Sequence, residues 1–190
     1  WSAGGAGILI EKTTGVVNDV EVYDNIIERT YGPGIWLIGT FQSYPKDDAK
    51  NVHIYHNVFR GTGTNPNIDW VGGIVTSGFY DTLVENNTFD AVYHGAIVEM
   101  YPTGGTHIYP TYENSGHIDL SPKDTGYTTI VRNNIIANTR QRSKDPAGTG
   151  YGVVNYLPET HTIILENNCL YNNYAGNYRN CTSSSDIYID

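Results

Sequence analysis

The sequence predicts an all-β fold, a right-handed single-stranded parallel β-helix of about five coils with long loop insertions. One observation is a pattern that occurs five times: apolar or Thr, any residue, apolar, two polar residues, Asn, any residue, apolar. Alternation on both sides of the Asn has the period of a strand, so each copy predicts a strand, a corner and a second short strand. The five copies are Val20–Ile27, Val52–Phe59, Thr82–Phe89, Thr129–Ile136 and Ile163–Leu170.

The second observation is the spacing of the Asn residues, which lie 32, 30, 47 and 34 residues apart. An irregular period around a constant core motif indicates insertions between coils, and insertions are where function is expected. We expect the Asn residues to adopt the left-handed conformation at each corner and to stack as an internal ladder, roughly 4.8 Å apart. The stacked residues are Asn25, Asn57, Asn87, Asn134 and Asn168.

The third observation is a glycine that opens a further apolar strand in each coil, at Gly7, Gly34, Gly73, Gly95 and Gly152. If the residues one and three after the glycine face inward, two columns face outward. An outward surface this apolar is either covered by loops or used as a binding floor. The first column is Leu9, Trp36, Val75, Ile97 and Val154, and the second is Glu11, Ile38, Ser77, Glu99 and Tyr156.

Composition limits the function classes. The chain has 190 residues and a net charge of −9, which argues against non-specific nucleic-acid binding. No apolar run is long enough to cross a bilayer, and residues 1–190 are predicted to be a single domain that forms part of a larger protein. A chain rich in Asn, Gly, Ser, Thr and Tyr predicts an extracellular or cell-surface location. Cys169 and Cys181 are interpreted as apolar filler or as a disulfide at the C-terminal tail.

Loop placement predicts a groove over the glycine-strand sheet. Insertions 39–51 and 100–128 follow these strands, and insertions 61–72 and 139–151 precede them. Such a groove suits an extended polymer, and aromatic rings are suited to sugar contact unless they only cover loop cores. The cationic run 140–144 could hold uronate carboxylates, or it is a solvated loop. The predicted substrate-binding residues are Trp36, Trp70, Tyr101, Tyr156, Arg140 and Arg142.

Glycosidic hydrolysis needs two carboxyl groups. Glu99 is the predicted central carboxylate of the groove floor, and Asp69 and Asp119 are its predicted wall partners. His117, with His94 and His107, is a candidate proton carrier. The alternative for each is an ordinary solvated or ion-paired side chain. If the polymer contains uronic acids, β-elimination by Lys, Arg, His or Tyr is a second mechanism.

No cofactor or metal is predicted. Asp47, Asp48 and Asp119 could hold a calcium ion, but no loop has a recognisable calcium spacing. On the sheet that precedes the Asn corner, Glu85, Arg132 and Glu166 are predicted to face outward with Tyr23 and Tyr55 and to form a cross-strand ion-pair ladder.

Three segments carry a family resemblance: NVHIYHNVF at 51–59, GGIVTS at 72–77 and YHGAIVEMY at 93–101. The chain resembles the right-handed parallel β-helix superfamily of pectate lyases and polygalacturonases, and more narrowly the disaggregatase-related proteins of methanogenic archaea. This resemblance implies a depolymerase of an extracellular, anionic, chondroitin-like polysaccharide. A glycoside hydrolase is the leading prediction, and the alternatives are a polysaccharide lyase and a non-catalytic glycan-binding surface module. The clustered Asp residues of polygalacturonases are not seen here.

Overall fold

The computed structural model describes residues 5–12, 15–38, 49–66, 71–99, 126–141, 149–156, 158 and 161–189. These residues form a parallel β-helix with three sheets, A, B and C, and they contain no helix. Neighbouring strands in every sheet belong to successive coils and are parallel, which confirms the predicted fold class. No helix in the described part of the chain could span a membrane.

Sheet A contains the glycine strands, sheet B precedes the Asn corner and sheet C follows it. Sheet A is β1 (Ile8–Glu11), β4 (Ile35–Ile38), β7 (Ile74–Ser77), β10 (Gly95–Glu99), β13 (Tyr151–Asn155) and β16 (Gly176–Arg179). Sheet B is β2 (Val17–Tyr23), β5 (Ala49–Tyr55), β8 (Tyr80–Glu85), β11 (Tyr127–Arg132) and β14 (His161–Glu166). Sheet C is β3 (Ile26–Glu28), β6 (Val58–Arg60), β9 (Thr88–Asp90), β12 (Ile135–Ala137), β15 (Cys169–Tyr171) and β17 (Ile187–Ile189).

The strand order gives five coils with one strand in each sheet, followed by a sixth coil whose described strands are β16 and β17. The inward positions of the repeat build the core, because alternation directs every second residue into the coil. Phe59 and Phe89 are fully buried and stack at 4.5 Å between ring centroids. The repeat positions therefore pack layer upon layer along the axis.

The Asn ladder is confirmed. From Asn57 onward, each ladder Asn is bonded by the Asn of the preceding coil, whose backbone N and Nδ2 donate to its Oδ1 at 2.9–3.0 Å and 3.0–3.1 Å. The ladder has a sixth rung that the repeat did not predict: Asp186 Oδ1 accepts from Asn168 N at 2.7 Å. Asp186 also accepts a hydrogen bond from the Tyr178 hydroxyl. The carboxylate replaces the amide where the next coil carries no Asn.

The predicted conformation of the ladder residues was wrong. The left-handed conformation belongs to the residue before each ladder Asn, with φ between 54° and 57° at Asp24, His56, Asn86, Asn133 and Asn167. The preceding residue turns the chain, and the ladder Asn can then direct its amide along the axis. Asp, Asn and His are the residue types that tolerate this region best after glycine.

The predicted register of β10 was also wrong, by one residue. Ile97 pairs with Ile74 and Val153, so Ala96, rather than Gly95, lies opposite Gly73. The glycine at this position lies close to the next coil, because a Cβ added to Gly73 would be 2.5 Å from the carbonyl oxygen of Ala96. A one-residue shift exchanges the two faces of a strand.

The two cysteines do not form the disulfide that the sequence left open: Cys169 and Cys181 are free thiols. Cys169 lies in the outward column of sheet C between Ile135 and Ile187. Cys181 packs against the core, and burial raises the pKa of its thiol to about 12. Both cysteines therefore act as small, partly buried apolar residues.

Acid is expected to destabilise the fold through His161. Its imidazole is 2% exposed and stacks on Tyr127, and burial lowers its pKa from 6.5 to about 4. Below about pH 6.5, His161 is protonated in the unfolded chain but stays neutral in the folded chain until about pH 4. The free energy of unfolding therefore falls as the pH is lowered from 6.5 to 4, by about 3 kcal/mol in total. Urea unfolding at about pH 7 and pH 4.5 measures this loss. His161→Phe keeps a ring and should lose less; equal losses would contradict the assignment.

Candidate functional site

The outer face of sheet A carries a second apolar layer. Trp36, Val75, Val98 and Val154 are at most 3% exposed, and they pack together outside the coil interior. The predicted first outward column therefore exists, with Val98 in place of Ile97 because of the register of β10. Of the two alternatives for this column, burial agrees with the covered surface and not with an open binding floor, so Trp36 is not exposed for stacking on a sugar.

Tyr156, a predicted substrate-binding residue, follows β13 and packs on this apolar layer. Its hydroxyl lies 2.6 Å from Nε2 of His94, which precedes β10. The two rings meet edge to face, with centroids 5.6 Å apart. A phenol and an imidazole at this distance can exchange a proton. Tyr156 therefore combines an apolar packing surface with a polar group suited to acid–base chemistry.

The backbone holds His94 firmly in place. Its N donates to the carbonyl oxygen of Arg140 at 2.9 Å, and its own carbonyl oxygen accepts from Gly150 N at 2.7 Å. Its φ of 72° is left-handed, and its side chain is 1% exposed. Left-handed φ values recur at other corners of the coils, so this conformation belongs to the fold, and these contacts fix the position of His94 before β10.

Arg179 supplies a positive charge next to Tyr156. Its guanidinium lies 4.8 Å from the centre of the Tyr156 ring, and its Nη1 lies 3.3 Å from the Tyr156 hydroxyl oxygen. In sheet A it pairs with Val154 and so continues the outward column into the sixth coil. We call His94, Tyr156 and Arg179 the phenol cluster.

A second arginine–tyrosine pair lies at the corner that leads into sheet A. Arg140, a predicted substrate-binding residue, is exposed; its guanidinium lies 5.7 Å from the centre of the Tyr93 ring. Arg140 Nη1 is 3.4 Å from the Tyr93 hydroxyl. Because His94 bonds to the backbone of Arg140, this pair is connected to the phenol cluster through His94. His94 is therefore linked to two arginines: to Arg140 through its backbone N, and to Arg179 through the Tyr156 hydroxyl.

The remaining predicted residues divide into two groups. The backbone of Glu99 pairs with Thr76 and Asn155, so in register it aligns with Leu37 and not with Ile38. Its predicted place on the groove floor is therefore wrong in register. The other residues lie outside the described part of the chain: Asp47, Asp48, Asp69, Trp70, Tyr101, His107, His117, Asp119 and Arg142.

On sheet B, half of the predicted ion-pair ladder forms. Glu85 accepts from Arg132 Nε at 2.6 Å and lies 2.9 Å from His53 Nε2. The hydrogen bond from Arg132 is the main reason that the pKa of Glu85 is lowered. Glu166 acts on Arg132 by its charge, without an ion pair among the described residues. His53 was not predicted as a member, although it lies on the same outward face.

Within the described ranges, no three or more His, Cys, Asp or Glu side chains are grouped so that they could hold a metal ion. Of the phenol cluster, the sequence predicted Tyr156 and His94 and missed Arg179. The glycine of the segment Gly176–Arg179 does not mark this strand in the way of the repeat, because Gly176 pairs with Tyr151 and Asn177 therefore lies opposite Gly152. The sixth coil has no ladder Asn, so the repeat pattern, which occurs five times, does not include it.

Comparison with protein families gives one finding. The model of the family described as disaggregatase related matches residues 17–190, which includes every described coil in whole or in part. Curated proteins and solved structures gave no significant match. The family match covers most of the chain and agrees with the resemblance carried by segments 51–59, 72–77 and 93–101. The chain therefore belongs to the disaggregatase-related family.

Proposed function

We propose that this chain depolymerises an extracellular polysaccharide that carries carboxylate groups, and that the polymer binds where Tyr156 and Arg179 are partly exposed, beside the buried outer layer of sheet A. The observation that carries the proposal is the Tyr156 hydroxyl, which lies 2.6 Å from His94 Nε2 and 3.3 Å from Arg179 Nη1. Proton-transfer groups next to a guanidinium are what cleavage beside a uronate requires. Family membership supports action on a polysaccharide, since the matching family is named for disaggregation.

The chemistry that fits this cluster best is β-elimination. Arg179 pairs with the uronate carboxylate and favours loss of the neighbouring C5 proton. Tyr156 Oη takes that proton while His94 Nε2 accepts the proton of the phenol. The C5–H electron pair forms a C4=C5 double bond as the C4–O bond breaks, and the leaving oxygen takes its proton back from the same relay. No water is consumed, and one new end of the polymer is unsaturated.

Hydrolysis through Glu99 is the second candidate. The backbone of Glu99 pairs with Asn155 on the adjacent strand, and Tyr156 directly follows Asn155 in the sequence. Hydrolysis would need a second carboxyl group as well, for which the sequence offers Asp69 and Asp119. Hydrolysis adds one water to each pair of products, whereas elimination adds none. Product mass therefore separates the two mechanisms.

The test is mass spectrometry of products after incubation of the protein with a chondroitin-like polymer of glucuronic acid and N-acetylgalactosamine. We expect unsaturated oligosaccharides whose summed mass equals that of the polymer cut. Fragments heavier by one water would overturn the elimination and direct attention to Glu99, Asp69 and Asp119. An intact polymer that still binds would favour a non-catalytic glycan-binding module.

A further inference from the structure

A shallow surface cavity of about 360 Å³, open to solvent on one side, lies beside the last described coils, at the corner between sheets C and A. Its walls come from β15, from the turn that precedes β16, and from β16 and β17. None of the side chains that line it carries a charge at neutral pH. The lining includes two tyrosines and three asparagines: Tyr171, Tyr188, Asn172, Asn173 and Asn177.

The two tyrosine rings are available for contact. Tyr171 is 43% exposed and Tyr188 is 49% exposed, whereas core tyrosines such as Tyr127 are 5% exposed. A tyrosine ring offers a flat apolar surface and a hydroxyl on one side chain. A sugar ring has the matching character, with apolar C–H faces and hydroxyls around its edge.

The asparagine side chains are fixed by their neighbours. Asn173 Nδ2 donates to Asn177 Oδ1 at 3.0 Å, and Asn172 Nδ2 donates to Asn138 Oδ1 at 2.9 Å. Hydrogen bonds within the described residues leave Asn177 Nδ2 and Asn172 Oδ1 unused. One oriented donor and one oriented acceptor therefore lie at the cavity, ready to bond a hydroxyl or an amide.

We propose that this cavity binds a neutral sugar ring. The volume is within the range of small-ligand sites, and aromatic rings with a few placed polar groups are their usual composition. The lining lacks cations, which distinguishes this site from the phenol cluster and its uronate chemistry. β16 connects the two, because it begins at Gly176 in the cavity and ends at Arg179 in the cluster. Binding here does not depend on the proposed cleavage.

The test is an NMR titration of the protein with methyl galactoside as the neutral probe and methyl glucuronide as the charged probe. We expect saturable binding of the neutral probe with Kd in the millimolar range, and weaker binding of the uronide. Tyr171→Ala should raise Kd at least about fivefold, because it removes apolar surface buried by the sugar. Asn177→Ala leaves both tyrosine rings in place but removes the Nδ2 donor, and it should also weaken binding.

Tyr174→Ala is the matched control, because Tyr174 is 68% exposed and is not part of the lining. We expect its Kd to stay within about twofold. Equal losses in Tyr171→Ala and Tyr174→Ala, no saturable neutral binding, or preference for the uronide would each overturn the proposal. Tyr156→Phe should keep neutral-sugar binding, so failure of the cleavage proposal can be told from failure of this one.

Discussion

Turnover of a uronate-containing polysaccharide is expected to fall by about 10²–10⁴-fold in a Tyr156→Phe variant, the range for loss of a general acid–base group. Phe keeps the ring that packs on the apolar layer of sheet A and the face that contacts Arg179. It removes only the hydroxyl that contacts His94 Nε2 at 2.6 Å. Because the guanidinium remains, affinity for the polymer should change by no more than a few-fold, so the loss should appear in kcat.

The measurement compares initial rates and polymer binding for the wild type, Tyr156→Phe and Tyr174→Phe. Tyr174 is an exposed tyrosine that contacts none of the phenol cluster among the described interactions, and its variant should match the wild type. Arg179→Met should instead weaken binding, since it removes the charge that pairs with the carboxylate. Full turnover in Tyr156→Phe would exclude the phenol as the proton-transfer group.

The fold was predictable because its signals are local and repeated. Alternation fixed the strands, and the recurring Asn fixed the corners, as the ladder between Asn25 and Asn168 confirms. The sixth coil escaped because Asp186 replaces the Asn and makes the same acceptor contact. A carboxylate can accept like the amide oxygen but cannot donate onward, so a pattern built on Asn alone overlooks it.

The site was less predictable, for two physical reasons. The first is register. Ala96 occupies the position of the repeat glycine, but the predicted alignment put the adjacent Gly95 there, and this shift of one residue placed Glu99 in the wrong column. The second is distance along the chain, since His94 and Tyr156 meet across 62 residues. Alternation predicts which face a residue occupies, but it does not predict which side chains from different coils touch.

Asn87→Ala is expected to destabilise the fold by about 3–5 kcal/mol, because it removes the central rung of the ladder. The side chain is 1% exposed. Its Oδ1 accepts from Asn57 N at 2.9 Å, and its Nδ2 donates to the carbonyl oxygens of Ile54 and Glu85, each at 2.9 Å. Alanine removes these three hydrogen bonds in a buried corner, where each backbone group left unsatisfied costs about 1–3 kcal/mol.

Asn25→Ala is the matched control at the first described rung. Asn25 is half-buried, and its Nδ2 donates to Tyr23 O at 2.8 Å in an exposed position. The Oδ1 of Asn57 keeps its bond from the backbone N of Asn25 at 3.0 Å, so the loss should be only about 1 kcal/mol. Urea unfolding of both variants measures the difference. Because each coil of a solenoid is stabilised by its neighbours, a central rung should matter more than a terminal one, and similar losses would mean that packing, not the amide ladder, holds the corners.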